Sequence, residues 1–204
     1  VGYFAVGTHW ITEPFLVDAA NQGWMAPIAL LAMSGGLALF WGLAALIYRA
    51  ADVKAPWRVL VFAGALALCE WLRGHVLTGF PWDLPGESWR AGSAPSQAAS
   101  VVGTYGLSWI TIALGASVAL LWETGRTRVI GAVAIAATLA GLYGFGALRL
   151  ANAKATPADA PLVRLVQANI DQKDKWKPEN LDMVFSTYVR LTTQASPVRP
   201  EIVI

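Results

Sequence analysis

The run "WMAPIALLAMSGGLALFWGLAALIY", Trp24 to Tyr48, contains no Asp, Glu, Lys, Arg or His. About 20 mostly apolar residues carry a helix across the ~30 Å hydrocarbon core of a bilayer. A stretch this long and this free of charge has no comparable place on the surface of a water-soluble domain, so it decides the fold class. Two further runs, Val101 to Trp122 and Val129 to Leu148, are equally free of charge. Composition agrees, because 14% of the residues are charged where soluble domains carry about 25%. Two weaker stretches extend the pattern. Trp57 to Leu72 is shorter and carries Arg58 and Glu70, and residues 1–12 read as the tail of a further span. The expected architecture is a multi-span α-helical membrane bundle over residues 1–150, with spans near 1–12 (partial), 24–48, 57–72, 101–122 and 129–148.

Charge placement sets an expected orientation. Arg49, Lys54 and Arg58 lie in one connection and Arg126 and Arg128 in another. Basic loops gather on the cytoplasmic side of a membrane, which places residues 74–100 and everything after Leu148 on the outer side. Trp24, Trp57, Trp71 and Trp122 fall near span ends, where indoles anchor at the interface. The net charge of +2 and the lack of a Lys/Arg tract argue against a nucleic-acid partner. The single cysteine, Cys69, excludes a disulfide within the chain. In an apolar helix its thiol is expected to be an inert core group. The chain opens inside an apolar run without a Met and stops on "EIVI", so both ends read as cut.

Beyond Leu148 the composition changes. Residues 151–161 are small and polar with two prolines and read as a linker. "LVRLVQANI", Leu162 to Ile170, is β-rich and too short to span, which predicts a largely buried strand. Pro178 suits the first turn of a helix, and Leu181, Val184, Phe185, Tyr188 and Leu191 follow at helical spacing. "EIVI" starts a second strand. Residues 162–204 therefore read as strand, helix, strand: the start of an α/β domain with a parallel pair.

Between the first and second charge-free runs stands "TGFPWDLPG", Thr78 to Gly86. It is too broken for a helix and too apolar for an ordinary solvent loop. Just before it, Glu70 and Arg73 are three apart on a helix and can face each other. The pair suits snorkelling to the headgroups or a polar contact to a lipid headgroup or outer domain.

"EWLRGHVLTGFPW", followed by "VQANIDQKDKWKPEN" and "PEIVI", closely resembles the bacterial apolipoprotein N-acyltransferases. The resemblance covers nearly the whole chain; His75 departs from it, standing where an apolar or aromatic residue is expected. It implies a membrane bundle carrying a nitrilase-like (carbon–nitrogen hydrolase, αββα) domain on the periplasmic side of the bacterial inner membrane. It implies transfer of an acyl chain from a phospholipid to the N-terminal amine of a diacylglyceryl-cysteine apolipoprotein, through a Cys thioester and with no cofactor. The family's Glu base follows the strand that begins as "EIVI", and its Lys and Cys come later. None of the three is expected within residues 1–204, so neither Glu201 nor Cys69 takes a catalytic role. Substrate-facing roles are expected for Phe80 and Trp82 as an apolar wall for acyl chains, for Arg73 beside them, and for Trp176, which stands in a polar loop between strand and helix. The alternatives are an interfacial anchor for Phe80 and Trp82 and packing onto the next helix for Trp176. For the whole chain, the alternatives are a transporter or scaffold module and a different membrane-fused nitrilase-type amidase. A transporter should show charges or broken helices at mid-membrane in repeated halves, and the three clean runs show no charge and no repeat.

Overall fold

The computed structural model describes residues 1–157 and 159–204. Ala158, inside the expected linker, lies outside the described residues. The chain divides into two units: residues 1–10 with 28–153, and residues 11–27 with 154–204.

The first unit is helical. A short helix α1 (Gly2–Gly7) leads into a 3₁₀ turn, His9–Thr12, so residues 1–12 form no continuous span. The short helices α2 (Glu13–Leu16) and α3 (Ala19–Gln22) belong to the second unit. Helix α4 (Met25–Ala51) covers the first charge-free run and continues three residues beyond it. Helix α5 (Arg58–His75) follows. Two cross-contacts fix the register of this pair: the rings of Tyr48 and Phe62 meet at 5.5 Å, and Trp41 donates to Glu70. As the α4 number falls by seven the α5 number rises by eight, so the helices run antiparallel.

The second charge-free run extends upstream into Pro95–Trp122. It comprises a 3₁₀ turn at Pro95–Ala98, α6 (Ala99–Ser117) and a 3₁₀ segment at Val118–Trp122. Gly103, at φ 68° and ψ 177°, bends α6, a conformation essentially restricted to glycine that costs an L side chain about 1–3 kcal/mol. Helix α7 (Arg126–Ala151) completes the unit.

Among the described residues, three helical stretches are long and apolar enough to cross a membrane: Met25–Ala51, Pro95–Trp122 and Arg126–Ala151. Helix α5 carries Arg58, Glu70 and Arg73 in its 18 residues and does not meet that description. It is nevertheless the centre of packing. Ala63, Ala65, Leu66 and Cys69 of α5 are buried with Ala44 of α4 and Ile112 of α6, so Cys69 is a core group as expected. Exposed Leu31, Leu46, Val133 and Leu148 lie on the outward helix faces, where a bilayer, rather than water, would meet them. Trp24, Trp57, Trp71 and Trp122 are all exposed at or near helix ends. Arg58 bridges to Glu123 at 2.7 Å, and Arg128 donates to the Glu123 carbonyl at 3.0 Å. The basic connections on either side of these helices therefore lie at one end of the bundle.

The second unit contains β1 (Val163–Arg164), α8 (Gln172–Lys175), α9 (Leu181–Thr193) and β2 (Ile202–Val203). The strands pair in parallel, Val163 opposite Ile202 and Arg164 opposite Val203, with α9 in the crossover. The strand expected over Leu162–Ile170 is shorter and less buried than its composition suggests. Ladder bonds run only from Leu162 to Val166, and Asn169, at φ 50°, leaves extended conformation. Leu162, Val163 and Leu165 stay exposed, because a two-stranded ribbon has no second layer over its faces. The apolar stripe of α9 is likewise largely uncovered: Leu181, Phe185 and Tyr188 are exposed.

Candidate functional site

The segment Thr78–Gly86 leaves α5 as irregular backbone, and irregular backbone next to a bilayer must have its polar groups satisfied within the protein. Arg73 supplies much of this. Its carbonyl accepts from the Phe80 N–H at 2.8 Å, and its Nη1 donates to the Phe80 carbonyl at 2.5 Å. Gly79 closes the turn with its N–H on the Val76 carbonyl. It adopts φ 72°, and a Cβ there would stand 2.4 Å from the Gly74 carbonyl oxygen, so only glycine fits. Further along, the Glu87 carboxylate accepts from the Leu84 N–H at 3.0 Å, and the buried Gly86 N–H donates to Ser108 Oγ of α6, also at 3.0 Å. Trp89 Nε1 donates to Thr111 Oγ1. The segment folds back onto α6 rather than looping into solvent.

Arg73 is 1% exposed and Glu70 0%. They form a salt bridge one helical turn apart on α5. Trp41 Nε1 donates to the other Glu70 oxygen, and the Arg73 guanidinium lies 5.2 Å from the centre of the Phe4 ring. The pair is thus enclosed in the bundle and does not snorkel. Charges removed from water persist when each finds a partner in place of its hydration shell, and here an indole, a backbone carbonyl and a ring supply it. Arg73 Nε has no hydrogen-bond partner among the described residues.

Beside this cluster, an open groove of about 510 Å³ runs between α4 and the Val76–Phe80 turn. This volume falls in the ~300–1,000 Å³ range of small-molecule sites. One wall is a single face of α4, with Ala32, Gly36, Leu39 and Leu43 at helical spacing. The other includes Leu77 and Phe80, and the only polar side chains lining the groove are Arg73 and Thr78. From Ala32 to Leu43 the helix advances roughly 17 Å at ~1.5 Å per residue. Residues 32–43 occupy the middle of α4. Because α4 and α5 are antiparallel, Ala32 lies at the turn's end of the groove and Leu43 at its far end.

The expected site residues divide between the two units. In the first, Arg73 and Phe80 line the groove together. Trp82 is 57% exposed and stands in an aromatic row with Phe80 at 6.2 Å and Trp10 at 5.6 Å. Trp176 belongs to the second unit. It ends α8, is 66% exposed, and has Lys175 Nζ 5.5 Å from its ring centre. Its ring is not covered by α9. Asp171 caps α8 by accepting from the Lys173 N–H at 3.1 Å, and that bond holds its carboxyl below the usual range.

Sequence reasoning missed Tyr3, Phe4, Trp10 and Trp41. Tyr3 donates to the Asp83 carbonyl at 2.9 Å and stacks on Trp41 at 4.8 Å. The available signal was Trp41 itself, an indole at mid-run and away from the interface where Trp normally sits.

Residues 1–118 match the family model described as the apolipoprotein N-acyltransferase N-terminal domain. Proteins named apolipoprotein N-acyltransferase are similar along almost the entire chain. The Caulobacter vibrioides protein is 54% identical over 98% of this chain, and those of Brucella melitensis and Rhodopseudomonas palustris are 37% and 34% identical over 100% and 96%. The chain spans 37–39% of the length of these relatives. No solved structure matches it significantly.

Proposed function

Because the chain belongs to the apolipoprotein N-acyltransferase family, we propose that it supplies the lipid-binding membrane part of an enzyme that moves an acyl chain from a phospholipid to the N-terminal amine of a diacylglyceryl-cysteine apolipoprotein. The observation that carries this reading is the groove between α4 and the Val76–Phe80 turn. Its walls are apolar, it lies open along an exposed face of α4, and its polar side chains are Arg73 and Thr78. A phospholipid acyl chain satisfies such walls.

In this reading the reaction is two acyl exchanges. A Cys thiolate attacks the phospholipid ester, forming a thioester and releasing lysophospholipid. The acceptor amine then attacks the thioester, forming the amide and returning the thiolate. The Cys, its Glu base and its oxyanion-stabilising Lys belong to the nitrilase-like domain. The parallel strand–helix–strand unit of residues 162–204 supports reading this segment as the start of that domain. What residues 1–153 contribute is binding and placement: a chain held in a fixed groove reaches the thiolate without a bimolecular search.

Residues 1–150 are read as the membrane domain, 151–161 as the linker, and 162–204 as the opening of the periplasmic domain in the bacterial inner membrane. The common location of the basic connections at one end of the bundle supports this orientation. Helix α5 crosses as well: it advances ~27 Å, and its two inner charges neutralise each other. Phe80, Trp82 and Arg73 serve the phospholipid, and Trp176 the reacting groups. The test is to reconstitute the full-length protein in phospholipid vesicles with a diacylated lipopeptide and follow the lipopeptide by mass spectrometry. Gain of one acyl chain is expected; an unmodified lipopeptide in the presence of correctly inserted protein would contradict the reading.

A further inference from the structure

Gly36 lies midway along the α4 wall of the groove. A Cβ built there meets no atom within 4 Å. The same is true of Gly42, but Gly42 is not among the groove-lining residues. At position 36 the missing side chain is therefore open volume inside the groove, and no packing contact requires it to be glycine. Ala32 is one helical turn nearer the Val76–Phe80 end, and Leu39 and Leu43 lie one and two turns farther from it. A side chain at 36 would stand between the turn's end of the groove and its Leu43 end. It would leave roughly 6 Å of α4 above it and roughly 10 Å below, at ~1.5 Å per residue.

We infer that Gly36 determines the length of acyl chain the protein accepts, by leaving the Leu43 half of the groove open to a single phospholipid chain. This rests on the acyl-transfer reading above and deepens it to a substrate preference. The occupant follows from the groove's lining and its place: it is open along an exposed, apolar face of a membrane-length helix, with its polar side chains confined to Arg73 and Thr78. A chain whose end reaches past position 36 exchanges contact with neighbouring lipid for contact with a fixed wall. One methylene in a closed hydrophobic pocket changes specificity by about ten-fold or more, and in this open groove the methylenes past position 36 are expected to reach that together.

The test uses the full-length protein in vesicles, with a diacylated lipopeptide as acceptor and pairs of phosphatidylethanolamines differing only in acyl length as competing donors. The ratio of kcat/KM for long over short donors is the readout. Gly36→Leu is expected to lower this ratio at least about tenfold while transfer from the shortest donor persists. Gly36→Ala should lower it in the same direction and by less, and covers the case in which the Leu variant fails to insert. Gly42→Leu should leave the ratio at its wild-type value. An unchanged ratio in Gly36→Ala, or an unchanged ratio or uniform loss at all chain lengths in an inserted Gly36→Leu protein, would overturn the inference. So would an equal shift from Gly42→Leu. Failure of the underlying reading is a separate result, because the wild-type protein would then transfer no chain of any length.

Discussion

The charged pair Glu70–Arg73 shows why one residue can hold a whole segment. Arg73 joins the salt bridge, the Phe80 carbonyl and the Phe4 ring, so α5, the irregular turn and α1 meet at one guanidinium. Removing one partner leaves the other charge buried and alone, which typically costs about 3–5 kcal/mol, whereas replacing both with apolar groups costs far less. Glu70→Leu and Arg73→Met are each expected to lower the thermal unfolding temperature in detergent markedly, and the double variant to recover part of the loss. Strict additivity of the two would contradict a coupled pair. At the exposed positions the expectation differs. Trp176→Ala should reduce acyl transfer strongly without affecting membrane insertion, since its ring is uncovered and no spanning helix depends on it. Phe80→Ala and Trp82→Ala should act more mildly and mainly raise the KM for phospholipid, because each removes only part of an apolar surface. Wild-type turnover by the Trp176 variant would return that residue to a structural role.

At the scale of elements, the membrane helices were readable because twenty charge-free residues in a row carry their meaning without reference to any neighbour. The i, i+3 spacing of Glu70 and Arg73 was readable for the same reason. Their partners were not, since Trp41, Phe4 and the Phe80 carbonyl are brought in by tertiary packing. The groove was equally invisible, because it depends on the register between α4 and the turn after α5. In the second unit, β-rich composition over Leu162–Ile170 suggested a longer strand than Asn169 permits. Helix α8 offers a pH test. Asp171 has its carboxyl pKa depressed by the Lys173 N–H, so its capping contribution is complete above the unfolded value of ~3.9 and is lost as pH falls through the lower folded value. The α8 end, followed by Trp176 fluorescence in a variant with the other indoles replaced by Phe, is expected to stay constant from neutral pH down to about 4. A transition near pH 6 would show that another group controls the loop.

For the whole molecule, sidedness and lipid binding are both open to direct measurement. The Arg58–Glu123 bridge and the Arg128 contact hold the basic connections at one end. With Cys69→Ser as background, a membrane-impermeant maleimide added from outside is expected to label Thr156→Cys and not Lys54→Cys; the opposite pattern would reverse the orientation. The central claim is that the groove between α4 and the Val76–Phe80 turn holds a phospholipid acyl chain. Its most direct measurement is photocrosslinking of the full-length protein in vesicles containing a phosphatidylcholine with a diazirine along one acyl chain, followed by peptide mapping. Crosslinks are expected to concentrate on the groove-lining residues Gly36, Leu39, Leu43 and Phe80, and to fall there in Gly36→Leu. Crosslinks spread evenly over outward residues such as Leu31, Leu46 and Val133, with no excess in the groove, would contradict it.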